Sequence, residues 1–187
     1  MSDQIIKKPA DPQLIVEQVT SLNAPDMNDL CDATDAAIEG GGGFGWLTLP
    51  ARDILERHWS GVMAMPARFL FVARLDGVIC GTCQLIKPPA NNEAQRLNLQ
   101  LTTHFVAPWA RGHGLARLLV EEAERTALEE GFGVINLDVR ETMTSAIALY
   151  ESMGYERFGT HPHYAVVDGE MLEGYYYTKL LDPKKAA

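Results

Sequence analysis

Cationic side chains are in the minority in this chain: 16 lysines and arginines stand against 25 aspartates and glutamates, a formal charge of −9. A nucleic-acid surface needs a cationic face, so this balance argues against that class of partner. It suits a small or cationic partner better. Cysteine is scarce as well. Cys31, Cys80 and Cys83 make an odd count with no framework spacing, which points to a reducing, cytoplasmic setting. No apolar run approaches the length that spans a bilayer. Met1 to Pro12 carries two lysines with no apolar stretch behind them, which is not the pattern of a signal peptide. Internal repeats and low-complexity tracts are also missing.

What remains is an ordinary globular composition, 47% hydrophobic and 22% charged over 187 residues. That length suits one domain able to bury a core without disulfides. We place the domain at residues 13–182, between an N-terminal tail at 1–12 and a C-terminal tail at 183–187. Leu14 to Thr20 alternates as a first strand, and Pro25 to Glu39 reads as a helix with acidic residues on its outer face. A second helical pattern runs through Ile54, Leu55, His58, Trp59, Val62 and Met63. Two apolar runs flank Asp76-Gly77, a dipeptide whose residues tolerate positive φ and therefore predicts a hairpin. The alternation of Leu97, Leu99 and Leu101 gives a fourth strand up to Val106. A helix follows over Leu115 to Glu130, its stripe formed by Leu115, Leu118, Leu119, Ala123 and Ala127. Val134 to Val139 is a fifth strand, and Thr144 to Met153 a short helix closed by Gly154. Two last strands fall within Tyr155 to Val166 and Tyr175 to Leu181. Hairpins first and a crossover helix later predict an α/β fold: a mixed, mostly antiparallel seven-stranded sheet with helices on both faces.

The segment "CGTC" at 80–83 invites a metal or redox assignment. Within a strand, positions three apart face opposite sides, and a redox pair would open a helix instead. The cysteines are therefore read as structural. "HPH" at 161–163 supplies two histidines with no carboxylate or cysteine at ligand spacing, so no metal site is assigned.

"VAPWARGHGLA" (106–116) sits where the fourth strand turns into a helix. Gly112 and Gly114 remove side chains where a backbone would wrap an anion. The helix adds its positive N-terminal end, and together these suit a pyrophosphate. Leu115 and Ala116 stand where a hydrolase P-loop would carry lysine and serine or threonine. A dinucleotide fold would want a third glycine. The turn fits a phosphorylated carrier whose phosphates are not broken, and a plain glycine-bearing connection stays open.

The run Arg111 to Ala116, "RGHGLA", resembles the R/Q-x-x-G-x-G/A signature of the GNAT superfamily of N-acetyltransferases, with Val106 and Pro108 before it as in that family. "VRETMTSAIALYESMGY" (139–155) resembles the family's second segment, and both lie in the right order and spacing. The resemblance implies a GNAT fold and acetyl-coenzyme A as co-substrate. It places the pyrophosphate on the amides of Gly112, His113, Gly114, Leu115 and Ala116, with Arg111 entering the turn. It also sets the pantetheine arm along Phe105 and Val106, and the thioester in a gap between strands four and five. Tyr150 matches the tyrosine that protonates the departing thiolate, a role a neutral phenol can fill. Where the family often has asparagine this chain has Met143, so a hydroxyl of Thr142 or Thr144 replaces it or the pantetheine contact weakens.

Strand four carries no acid. It offers Gln100 toward the acceptor and His104, whose ordinary pKa suits a base and which equally suits a packed histidine. "EGGGGFGW" follows a helix, and its glycines could let Phe44 and Trp46 close over a ligand. This loop and "HYAVVDGEMLEGYYYTKLL" also resemble the tabtoxin-resistance type of acetyltransferase. That resemblance implies a small polar amine as acceptor, with Tyr164 facing it and Trp46 opposite. The function expected is therefore transfer of acetyl to a small-molecule primary amine in a direct ternary complex. Two alternatives stay open: a non-catalytic coenzyme A-binding or sensory module, and an acetyltransferase of protein lysines or N-termini. Homodimers are common in the family, but the residues themselves do not derive one.

Overall fold

The structure is a computed structural model that describes residues 11–42 and 44–182. The tails proposed at 1–12 and 183–187 lie outside the described residues, apart from Asp11 and Pro12, which form no regular element.

The chain opens with strand β1 (Leu14–Val19) and helix α1 (Ala24–Glu39). Asn23 starts α1, its side chain accepting from the Asp26 amide at 2.8 Å, while Pro25 occupies the first turn, where its missing N–H costs nothing. Helix α2 (Arg52–Met63) follows, then the hairpin of β2 (Arg68–Leu75) and β3 (Val78–Ile86). Asp76 and Gly77 make its turn with φ of 51° and 87°, the positive pair that matches strand twist. Strand β4 (Asn98–Val106), helix α3 (Leu115–Glu129) and strand β5 (Val134–Arg140) form the crossover unit. Helix α4 (Thr144–Ser152) leads to the closing hairpin of β6 (Glu156–Val167) and β7 (Glu170–Leu180). That hairpin turns on Asp168 and Gly169, at φ 51° and 83°. β7 therefore begins five residues earlier than Tyr175, and the second Asp-Gly pair is the signal that the sequence reading passed over.

All seven strands form one sheet in the order β1-β2-β3-β4-β5-β7-β6. Only β4 and β5 run parallel, joined through α3. Helices cover both faces, as expected. Leu70, Val72 and Ile79 pack with Leu30, Leu55 and Trp59 of α1 and α2. Phe69, Phe71, Leu85, Leu99 and Ile135 pack with Leu119 and Ala123 of α3. Two covered faces explain why β2 and β3 read as continuous apolar runs rather than alternating ones. On α3, Leu118 is 37% exposed and Val120 is fully buried, so the buried stripe is rotated from the one expected.

Both Cys80 and Cys83 lie in the α3-side core. The expectation of opposite faces fails because Gly81 pairs with Ala73 and Ile79 with Arg74, which leaves Cys80 as an extra residue in a bulge. An inserted residue shifts the alternation by one and brings both thiols to the same side. The structural assignment itself holds: all three thiols are free and buried, and burial pushes Cys31 and Cys80 up to about 11.

Candidate active site

The parallel pairing of β4 with β5 runs only from Asn98↔Val134 to Gln100↔Asn136. Beyond it the strands part, and the gap reaches from Leu101 and Leu137 to the two strand ends. A bulge helps to open it. Thr82 pairs with Phe105 and Gln84 with Thr102, so Thr103 and His104 together oppose the single residue Cys83. Thr103 sits at φ 52°, an uncommon conformation for a β-branched residue. The extra residue turns Phe105 toward α1, where it stacks on Phe44 with centroids 5.0 Å apart. It also turns His104 toward α4. Gly81 lets the strands close there, because a Cβ would stand 2.7 Å from the Phe105 carbonyl oxygen.

On the α3 side of the gap lies a cleft of about 580 Å³ lined by Phe105, Val106, Arg111, Gly112, Gly114 and the first turn of α3. Thr142 and Thr144 close it from the start of α4. Gly112 and Gly114 have φ of 86° and 79°, and nothing lies within 4 Å of where their Cβ atoms would be. Gly114 caps α3 with no side-chain bond, so the first amides of the helix point out of it without intrahelical partners. The Arg111 Nε donates to the Val106 carbonyl at 3.2 Å. Ala107 donates its amide to Cys80 across β3 at 2.7 Å, so by strand alternation Val106 turns its own amide into the gap. The His113 ring bonds back to the Ala110 carbonyl at 3.2 Å and does not line the cleft.

Where the gap narrows, His104 and Tyr150 meet. The His104 Nδ1 lies 2.8 Å from the Tyr150 hydroxyl, and its Nε2 lies 3.0 Å from the Ala116 carbonyl oxygen. A carbonyl only accepts, so Nε2 carries the ring proton and Nδ1 accepts from Tyr150. Burial lowers the His104 pKa to about 4 despite the Ala116 bond, which keeps the ring neutral at pH 7. Burial likewise pushes the Tyr150 phenol well above its ordinary range. Both ring nitrogens are thus engaged, and neither is left to take a proton from an amine. His104 is placed to hold Tyr150, and the bulge has moved it away from Gln100.

A second cleft, of about 520 Å³, opens on the other side and is lined by Phe44, Leu47, Asp138, Arg140, Tyr164 and Val167. The two clefts share Gly42, His104, Met143 and Ala146, so they join at the gap. Trp46 does not line this cleft. It stands behind Phe44 at 5.7 Å and edge-on to His58 at 5.0 Å, so Tyr164 faces Phe44 and Leu47 instead. The Arg140 Nη2 donates to the Gly41 carbonyl at 2.9 Å and ties the glycine loop to β5.

β4 brings no carboxylate to this cleft, whereas β5 brings Asp138. Asp138 accepts from Gln100 Nε2 at 2.9 Å and from the Tyr164 hydroxyl, so Gln100 reaches the cleft through it. The sequence held a signal: Asp138 is the one acid of β5, set between the apolar residues Leu137 and Val139. Burial, with the Asp138 carboxylate, raises the Tyr164 phenol well above its ordinary range. His161 Nδ1 accepts from the His163 amide at 3.0 Å. No group of three or more potential metal ligands occurs among the described residues, and no helix there is long and apolar enough to cross a membrane.

Comparison with known proteins gives a consistent result. The model of the acetyltransferase (GNAT) family matches residues 29–155. An uncharacterised N-acetyltransferase from the hisH–hisA intergenic region of Azospirillum brasilense is 59% identical over 127 residues, 68% of this chain and 76% of that protein. A putative acetyltransferase from Salmonella typhimurium, solved with its cofactor acetyl-CoA, superposes with a TM-score of 0.73 at 16% identity, over 91% of this chain and 95% of that one. An N-acetyltransferase from Staphylococcus aureus Mu50 gives 0.75 at 16% identity, over 91% and 99%.

Proposed function

The chain belongs to the GNAT acetyltransferase family, and from that premise we propose that it moves an acetyl group directly from acetyl-coenzyme A to the primary amine of a small molecule. The observation that carries this reading is the junction of two clefts at a gap between β4 and β5, where His104 lines both and accepts from Tyr150, which lines the second cleft.

The chain's residues fit the cofactor. Gly112 and Gly114 leave the cradle open, and the amides opening α3 offer donors to a pyrophosphate. Arg111 and Arg117 line the same cleft and supply positive charge. The unpaired edge of β4, with the Val106 amide facing the gap, suits an arm that adds like a strand. When bound, the cofactor supplies a thioester carbon open to attack.

Against that carbon the chain brings an amine from the opposite cleft, and holding both partners can supply much of the rate. The amine nitrogen forms the C–N bond as the C–S bond breaks. One ammonium proton leaves to water before attack. The second leaves nitrogen as the amide forms and balances the proton Tyr150 gives to sulfur. Tyr150 is suited to that because its phenol stays protonated, and rotation about Cζ–Oη swings the hydrogen from His104 to the gap. A direct transfer is favoured because none of the three cysteines lines either cleft, which leaves no thiol there to carry the acetyl group. The aromatic residue Phe44 beside Leu47 in the lining of the second cleft favours a small acceptor over a peptide.

The test is thiol release from acetyl-coenzyme A across a panel of small primary amines. Intersecting initial-rate lines and no acetyl adduct on the protein in the absence of amine are expected. Tyr150→Phe should lower kcat about 100-fold or more with the KM for acetyl-coenzyme A nearly unchanged. Cofactor binding without thiol release for any amine would instead favour a sensory module.

A further inference from the structure

We propose that Arg68, seated by the buried amide of Gln84 and flanked by His58, is an anion subsite beyond the inner wall of the second cleft, and that it takes the carboxylate of an acceptor whose amine lies several bonds away. The inference rests on the acetyl-transfer reading and adds to it an acidic group that the acceptor carries.

The sheet register brings these residues together. Leu70 packs against α1 and α2, and Arg68, two residues earlier on β2, lies on the same face. Gln84 stands opposite Leu70 on β3, and Thr102 opposite Gln84 on β4. Thr102 lines the second cleft, so Gln84 lies one strand spacing, about 4.8 Å, behind that wall. The Arg68 Nη1 donates to the Gln84 Oε1 at 2.7 Å, which draws the guanidinium from β2 toward the cleft. His58, on α2, is close enough to feel the Arg68 charge. Trp46 stands edge-on to His58 at 5.0 Å, with Phe44 of the cleft lining next in line.

Three observations mark this group as incomplete. Arg68 is half-buried, yet no carboxylate among the described residues pairs with it. Even the exposed Arg57 and Arg125 have one, as do Arg52, Arg74 and Lys179. In a chain with 25 acids against 16 bases, a half-buried cation without one calls for a partner. Gln84 is fully buried, and its Nε2 has no partner among the described residues. Arg68 fixes that assignment, because the amide turned the other way would set its NH2 against a guanidinium that only donates. The His58 Nε2 is buried and unpartnered as well. Burial and the Arg68 charge lower the His58 pKa, with no acid to oppose them.

What the group lacks is a negatively charged hydrogen-bond acceptor. A carboxylate supplies it and meets the planar fork of an arginine with two oxygens. Arg68 is the residue that meets the ligand, and Gln84 is a positioning residue that seats it. The guanidinium over β3 and the gap beyond β4 lie one to two strand spacings apart, about 5–10 Å, the span of an extended ω-amino acid of about five or six carbons. An α-amino acid is too short to place its amine at the gap and its carboxylate on Arg68.

Direct binding to the full chain tests this. The ω-amino acids from glycine to 8-aminooctanoate are titrated by ligand-observed NMR, each against its own uncharged carboxamide, and coenzyme A is titrated separately by calorimetry. The wild type should prefer 6-aminohexanoate to its carboxamide about tenfold or more and show little preference with glycine. Arg68→Gln should abolish the preference, with coenzyme A affinity within twofold of wild type showing that the variant is folded. Gln84→Leu should cut the preference severalfold and leave carboxamide binding unchanged, a shift in ratio that a merely structural role would not produce. Equal binding of acid and carboxamide by the wild type at every length would overturn the proposal. So would a preference greatest for glycine, or one that survives Arg68→Gln. Hexanoate bound as tightly as 6-aminohexanoate would overturn it too, by giving Arg68 to a free anion. Arg68-dependent binding of 6-aminohexanoate without thiol release from acetyl-coenzyme A for any amine would overturn the acetyl-transfer reading and spare the subsite.

Discussion

At the scale of single residues the chemistry turns on which atoms are already spoken for. His104 was attractive as a base from its ordinary pKa alone. In the fold its Nε2 donates to Ala116 and its Nδ1 accepts from Tyr150, and burial holds its pKa near 4. That burial has a cost in acid. Unfolded, the imidazole takes up its proton near pH 6.5, whereas the folded chain resists until about 4. Between those values the unfolded state binds a proton that the folded state does not, so stability conferred above pH 6.5 is lost as pH falls through the window. The loss approaches about 3 kcal/mol at the lower end. Urea unfolding at pH 7 and pH 4.5 checks it: His104→Gln should show an acid-dependent loss smaller than the wild type's by about 2–3 kcal/mol. Equal losses would show that His104 does not stay neutral in the fold.

At the scale of elements, three bulges decide where the functional groups point. The bulge at Cys80 gathers two cysteines on one face, the one at Thr103 parts His104 from Gln100, and the one at residues 162–164 delivers Tyr164 to Asp138. The Thr103 bulge relies on Gly81, since a Cβ there would meet the Phe105 backbone oxygen at 2.7 Å. Gly81→Ala should therefore lower unfolding free energy by about 1–3 kcal/mol, read from denaturant midpoints. An unchanged midpoint would mean the two strands separate freely. These bulges also mark the limit of what the sequence discloses. The sequence pattern located the four α-helices and seven strands, short of the start of β7, and the glycine turn at 111–116 announced itself by residue type. A single extra residue leaves no trace in composition, yet it inverts the face of every residue after it. The expected faces of Cys80 and the place of Trp46 opposite Tyr164 failed where the backbone departs from simple alternation or a loop packs behind its neighbour, and of the two readings of His104 the geometry favours the packed one. Asp138 was missed because the search for an acid stopped at β4, while the splayed strands bring β5 to the same cleft.

At the scale of the whole molecule, one sheet does two tasks. Its covered faces bury the core, and its single parallel seam, paired over three residues and then open, joins the two clefts that the proposed function gives to cofactor and acceptor. A chain with a formal charge of −9 must hold a polyphosphate by local geometry, since its overall field opposes an anion. In the proposed function the glycine turn, the α3 amides and Arg111 are that geometry. Isothermal titration of the protein with acetyl-coenzyme A, repeated with Gly114→Trp, tests this claim most directly. The residue at φ 79° has open space beyond it, so an indole there should fill the cradle. Binding by the wild type that is abolished in Gly114→Trp, with the variant's thermal unfolding still cooperative, is the predicted result. Equal binding by both proteins would place the cofactor elsewhere, and no binding by either would contradict the acetyltransferase account itself.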